Sequence, residues 1–164
     1  MPNVRELAQL VGTRVDGDGW LSDASWRLME RLCLEALVVT RGSEGMSLFE
    51  AVKGEMRRVD VPTMAQSVYD VTGAGDTGVA TFAAAIAAGA DRETAVRLAN
   101  IAAGIKVGKR GTATVNVEEM HKRLREEEFL LSGGRKAQVT GPARARFDAE
   151  TAPVQSEGYE GEAI

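Results

Sequence analysis

The sequence predicts an α/β fold, and three observations carry that expectation. Segments with apolar residues at helical spacing alternate with short runs rich in β-branched residues. Glycine-containing turns separate the short runs from one another. A glycine-rich stretch, Val68 to Thr77, then stands where a strand gives way to an alanine-rich helix. With 164 residues, 44% of them apolar, the chain is long enough for one globular core and too short for two full domains.

From the N-terminus, residues 3 to 11 have helical spacing, with Leu7, Leu10 and Val11 on one side and Gly12 placed to stop the helix. After a loop rich in Gly and Asp, Ser22 or Asp23 is expected to cap a second helix with the apolar stripe Trp26, Met29, Leu32 and Cys33. Cys33, set between two leucines, reads as a packed thiol, and as the single cysteine it cannot close an internal disulfide. Leu37 to Thr40 reads as a buried strand. Gly42 and Gly45 bracket a turn, Met46 to Phe49 form a second strand, and Lys53-Gly54 turn the chain into a third, Met56 to Val61, which Pro62 ends.

An alanine-rich helix is expected from Gly75 to about Ala88, with Gly89 as a left-handed C-terminal cap. Asp91 is placed to cap the next helix, which runs to about Val107 with Ala95, Leu98, Ala99, Ala102 and Ile105 facing inward. Asn116 and Glu119 have capping-box spacing at the head of a charged helix that ends near Gly133-Gly134. Residues 1 to 134 are thus expected to form the folded domain. Residues 135 to 164, poor in large apolar side chains, are expected to form a disordered tail.

The formal net charge is -4, with both signs interspersed, so no basic stripe offers itself to nucleic acid. No run reaches the roughly 18 apolar residues of a membrane span, and the start lacks the pattern of a secretory signal. A cytoplasmic location is the expectation. Metal-ligand spacing of Cys and His is absent, and His121 and Glu126-Glu127-Glu128 read as surface residues of the last helix.

Asp70-Val71-Thr72-Gly73-Ala74-Gly75-Asp76 is the segment suited to chemistry. Its glycines allow close backbone approach, and the free N–H groups at the start of the following helix, reinforced by the helix dipole, suit an anion. Asp76 in the first turn sets a carboxylate beside that pocket, within reach of a hydroxyl that is to receive a phosphoryl group. The residues alone fit equally well a tight turn in which Asp76 lines the helix start. Neither a Walker A sequence nor Gly-x-Gly-x-x-Gly after a strand is present.

The segment resembles the second signature of the PfkB carbohydrate kinases, an Asp, two residues, then Gly-Ala-Gly-Asp. The resemblance covers about residues 2 to 130 and implies a ribokinase-like fold, a three-layer sheet with flanking helices, here without the N-terminal half and its lid. It implies that Asp76 is the catalytic base, that the backbone of Gly73, Ala74, Gly75 and Asp76 forms an anion hole, and that Asp70 helps shape a monovalent-cation site for K+. Pro2-Asn3-Val4-Arg5-Glu6 is similar to the family's Asn-x-x-Glu element, in which Asn3 and Glu6 would help organise Mg2+; the same pattern also serves as a helix cap.

Thr40 to Gly45 resembles the turn that lies along ATP in these kinases, which points to Thr40, Arg41, Gly42 and Gly45; alone it is a hairpin turn. Asn100 to Ala113 resembles the adenine pocket, which points to Asn100, Gly104, Lys109 and Gly111; alone it is ordinary helix packing. The wording of Val39-Thr40-Arg41, Glu44 to Leu48 and Val107-Gly108-Lys109 is similar to the heptose 7-phosphate kinase branch, whose kinase module is joined to a heptose-1-phosphate adenylyltransferase in ADP-heptose and lipopolysaccharide biosynthesis.

The family pattern implies a sugar phosphate substrate and an upstream half carrying most of the sugar contacts. That half is expected from another polypeptide or from self-association into a homo-oligomer. The other expectations are a non-catalytic nucleotide-binding remnant, or a kinase of a different sugar or nucleoside.

Overall fold

In the computed structural model, which describes residues 1–13, 19–63, 69–111 and 113–132, the fold is set by a sheet with apolar residues on both faces. The chain forms helices α1 (Val4–Val11) and α2 (Trp20–Arg31), then strands β1 (Ala36–Thr40), β2 (Met46–Val52) and β3 (Glu55–Val61). Helices α3 (Ala74–Ala87), α4 (Arg92–Val107) and α5 (Val117–Ser132) follow. The strands form an antiparallel meander in the order β1-β2-β3, with Leu37 opposite Phe49 and Leu48 opposite Val59. The helices therefore come before and after the strands instead of between them.

Because side chains alternate across a strand, β1 sends Leu37 and Val39 to one face and Val38 to the other. The first face, with Phe49 and Met56, packs on Leu7 of α1 and on Ala24, Leu28 and Met29 of α2. The second, with Met46, Leu48, Val59 and Val61, packs on Val96 and Ala99 of α4. Three layers result. With both faces covered, Met46 to Glu50 is buried without a break, and Phe49 and Leu48, both fully buried, each contribute about 1.5–3 kcal/mol through burial.

Expected caps are in place: Gly12 is left-handed after α1, the Asp91 side chain accepts from the Thr94 N–H at 2.9 Å, and Asn116 and Glu119 close a capping box. The second helix differs from expectation. It starts at Trp20 after a left-handed Gly19, with no side-chain cap, and it ends at Arg31. Leu32 and Cys33 thus fall beyond it; Leu32 is half exposed, and Cys33 has φ 51° and an exposed thiol. The face that packs carries Ser22, Ser25, Leu28 and Met29, because the chain must turn at residues 32–35 to enter β1. Leu98 is only half buried, and Val96 takes the inner position. The loop at 14–18, residues 64–68, Thr112, the Gly133-Gly134 stop and the extension 135–164 lie outside the described residues.

Ion pairs fasten the layers at their edges. Arg57 of β3 meets Glu50 at 2.9 Å and Glu93 of α4 at 2.5 Å. Gly45 is the tightest point of the meander: its φ is 91°, and a Cβ there would stand 2.0 Å from the Val61 carbonyl oxygen and 2.7 Å from the Thr63 nitrogen. Gly45→Ala is expected to cost about 3 kcal/mol or more, because strain at positive φ adds to a clash with backbone that cannot yield. Thermal melting followed by circular dichroism checks this, and an unchanged midpoint would contradict the packing.

Candidate functional site

The loop ahead of α3 is held by hydrogen bonds to the far end of α4. Tyr69 and Asp70 both donate their N–H to the Val107 carbonyl, at 2.8 and 3.2 Å. The Asp70 carboxylate accepts from the Thr72 N–H at 2.9 Å and from the Gly111 N–H at 3.1 Å. The bond from the Thr72 N–H, followed by those from the Thr72 side chain and the Gly111 N–H, holds the Asp70 carboxyl below the ordinary carboxylate range. Gly73 then takes φ 74°, ψ 4° as the N-cap, a left-handed turn that starts α3 without a capping side chain.

Since no side chain caps α3, its first amides depend on what lies beyond them. Ala74 donates to the Val71 carbonyl at 3.2 Å, and Thr77 is the first residue to close a regular helical bond, to Gly73 at 3.0 Å. The N–H groups of Gly75 and Asp76 meet no backbone acceptor among the described residues. Of the four amides expected to form an anion hole, the Ala74 amide is thus already engaged. Gly73, Gly75 and Asp76 keep N–H groups with no acceptor among the described residues, and those of Gly75 and Asp76 lie in the first turn of the helix, at the positive end of its dipole.

Ala74 and Gly75 border a cleft of about 560 Å³, within the roughly 300–1,000 Å³ of small-molecule sites. One wall is α4, through Asn100, Ala103, Gly104 and Val107; the other is the turn after β1, through Gly42, Ser43 and Gly45, with Thr63. Asn3, Thr40, Met46 and Val71 complete the lining. Eight residues singled out from sequence are thereby brought together: Asn3, Thr40, Gly42, Gly45, Ala74, Gly75, Asn100 and Gly104. Asp76 is exposed one residue beyond Gly75 and forms no side-chain hydrogen bond to a described residue. The turn after β1, Gly42–Glu44, is a single turn of 3-10 helix.

Several other expected site residues are engaged elsewhere. Arg41 turns into the sheet, meeting Ser47 at 3.3 Å, Asp60 at 3.1 Å and Glu44 at 2.7 Å. Burial works against the Asp60 carboxylate, but bonds from Ser47 and Arg58 and the charges of Arg58 and Arg41 hold it below its usual range. Lys109 binds the Thr114 carbonyl and the Glu119 carboxylate, each at 2.6 Å, beside a separate cavity near Tyr69 and Arg123. Its hydrogen bond holds the Glu119 carboxyl down. Gly111 serves Asp70.

Asn3 and Glu6 close a capping box on each other, at 2.8 and 2.9 Å, and the Asn3 segment bridges to Thr40 in parallel. Ser43, Met46, Thr63, Val71, Ala103 and Val107 also line the cleft; they were not singled out one by one from sequence, although Ser43, Val71, Ala103 and Val107 lie within segments that were. Sequence reasoning also missed Lys106, which is 3% exposed and donates from Nζ to the Gly111 carbonyl at 2.6 Å. Among the described residues no group of three His, Cys, Asp or Glu could hold a metal ion, and no helix is long and apolar enough to cross a membrane.

A ribokinase-like fold with this glycine-rich helix start defines the class of carbohydrate kinases, and the comparisons agree. The family model for the pfkB family carbohydrate kinases matches residues 1–120. The chain belongs to that family. It is 42% identical to the bifunctional protein HldE of Hahella chejuensis over 147 residues, 90% of this chain and 29% of that protein. Identity to HldE of Azotobacter vinelandii is 42% over 156 residues, 95% of this chain and 31% of the relative.

Among solved structures, Arabidopsis thaliana ribokinase with ribose and ATP superposes with a TM-score of 0.67 at 31% identity, covering 76% of this chain and 39% of that one. Escherichia coli phosphofructokinase-2 with potassium superposes at 0.69 and 20% identity, over 77% and 40% of the two chains. The chain spans less than a third of the length of these HldE relatives.

Asp70 makes acid sensitivity predictable. Its folded-state pKa lies below the unfolded value of about 3.9, so its contribution is complete above about pH 4 and is lost as pH falls through the folded value. Between about pH 4 and pH 2, the melting temperature of the wild type should fall more steeply than that of Asp70→Ala, which has no carboxyl to protonate there. Parallel curves in a pH series of melts would show that the bonds to Thr72 and Gly111 add nothing.

Proposed function

We propose that the chain is the nucleotide-binding and catalytic portion of an ATP-dependent sugar kinase whose acceptor is an alcohol group of D-glycero-beta-D-manno-heptose 7-phosphate, a cytoplasmic step toward ADP-heptose. The observation that carries the reading is the pair of open amides on Gly75 and Asp76, at a helix start that borders a cleft, with an exposed carboxylate on the same turn. The HldE relatives, at 42% identity, favour the heptose branch. Ribokinase with ATP supports the nucleotide.

In this reading ATP lies in the cleft between α4 and the turn after β1, with its terminal phosphate toward the Gly75 and Asp76 amides. Asp76 accepts the proton of the sugar hydroxyl as that oxygen attacks the γ-phosphorus. The bond from the γ-phosphorus to the bridging oxygen breaks, and ADP leaves with the electron pair. The amides, fixed by the turn at Gly73, stabilise charge on the transferred group without reorganising.

The donor set fits magnesium carried on the nucleotide phosphates, for which one or two protein oxygens and water suffice. Asn3 borders the cleft, and Glu6 is tied to it by the capping box. The ion would neutralise phosphate charge. The upstream half in this reading completes the sugar site. The monovalent cation associated with Asp70 meets a competitor in this chain, the buried ammonium of Lys106.

Asp76→Asn is expected to lower kcat for ATP-dependent phosphorylation of heptose 7-phosphate by about a hundredfold or more, while the Kd for ATP measured by calorimetry stays nearly unchanged. Undiminished turnover in Asp76→Asn would remove the base assignment. Wild-type ATP binding without any turnover, measured with the sugar-binding half supplied, would select a non-catalytic nucleotide-binding role.

A further inference from the structure

Among the described residues Lys106 is the only buried lysine or arginine, and the proposed reaction makes no use of it. It stands one residue before the end of α4, and its Cε lies 3.6 Å from where a Cβ on Gly73 would be. The stem therefore passes directly behind the N-cap of α3. Its Nζ ends on the Gly111 carbonyl at 2.6 Å, while the Gly111 N–H ends on the Asp70 carboxylate at 3.1 Å. Gly111 links the ammonium to the carboxylate through its two backbone groups. The positive charge of Lys106 also contributes to the low proton affinity of Asp70, without a direct ion pair between them.

A bare alkali cation beside Asp70 would have to be coordinated by carboxylate and backbone carbonyl oxygens. In this chain the Gly111 carbonyl already accepts from an ammonium, and both Asp70 oxygens already accept backbone N–H groups. A second unit charge would also be repelled by an ammonium that burial screens from solvent. The residues present do not fit an added cation.

We propose that the Lys106 ammonium takes the place of a bound monovalent cation beside Asp70, giving the loop that starts α3 a permanent positive charge where an exchangeable ion would otherwise sit. The purpose of that charge, to favour an anion at the Gly75 and Asp76 amides, rests on the proposed function. The placement of the charge does not. A tethered ammonium does not dissociate, so the loop keeps its geometry whatever the salt.

The test is thermal melting of the full chain in KCl, NaCl and tetramethylammonium chloride at equal ionic strength, together with NMR of thallium(I), supplied as the nitrate, as a potassium probe. Wild type should melt at the same temperature in all three salts and bind no thallium. Lys106→Met keeps the length of the stem and removes the charge; it should bind thallium and gain a potassium-specific rise of about 4 °C. Lys106→Gln is the second variant should the first fail to fold.

Potassium-specific stabilisation or thallium binding in the wild type would overturn the proposal, as would a folded charge-removed variant that remains indifferent to potassium. If neither variant folds, thallium binding by the wild type decides: bound ion refutes the replacement, and its absence supports it. None of these measurements contains nucleotide, so a failure to bind ATP would count against the proposed function alone.

Discussion

Where α3 begins is decided by the hydrogen bonds that tie the loop ahead of it to the end of α4. Two N–H groups converge on the Val107 carbonyl, and one carboxylate, Asp70, spans from Thr72 to Gly111. Those bonds fix Gly73 in its left-handed conformation, and that turn in turn leaves the Gly75 and Asp76 amides open, Gly75 bordering the cleft and Asp76 one residue beyond it. An aspartate is well suited to the bridging position, since its two oxygens accept from two amides of separate segments at once. The orientation of these open amides is thus a tertiary property, set by contact between segments some forty residues apart in sequence.

Close packing places the other walls. Gly78 lets α3 approach the sheet and α4, with Met46 Cε 3.2 Å and the Ala99 carbonyl 3.7 Å from where a Cβ would stand. Small residues at Ala99, Ala103 and Gly104 on α4 keep that contact short and leave the cleft its width. On the opposite side Gly45 brings the turn after β1 against Val61 and Thr63. Asn100, 3% exposed, donates to the Pro62 carbonyl at 2.8 Å and ties α4 to the end of β3. Adding a methyl at Gly45 would disturb both the fold and the cleft, because one contact serves both.

Apart from the ion pairs of Arg57 at the layer edge and of Lys109 with Glu119, two charge groups flank the cleft. Arg41, Ser47, Arg58 and Asp60 form a cluster within the sheet, so the arginine next to the cleft stabilises the meander instead of facing a ligand. Lys106, Asp70 and Gly111 form the second group, behind the start of α3. Tyr69 and Val71 of the same loop, and Val79 and Ile86 of α3, expose apolar surface beside it.

Most of the secondary-structure elements, and the glycine turn that starts α3, were legible along the chain. Apolar periodicity, capping residues and glycine turns located the five α-helices and three strands of the described residues, because these signals are local, and the Gly-Ala-Gly-Asp run with its flanking aspartate carried the resemblance to the family. Sequence reasoning missed the register of α2: the stripe through Leu32 and Cys33 assumed that the helix continues, whereas the turn into β1 ends it at Arg31. Tertiary structure alone decided which residues share the cleft, that Arg41 and Lys109 are held elsewhere, and that a buried lysine stands behind Gly73. Those outcomes depend on which carbonyls and carboxylates meet across the fold, and no spacing along the chain encodes such meetings.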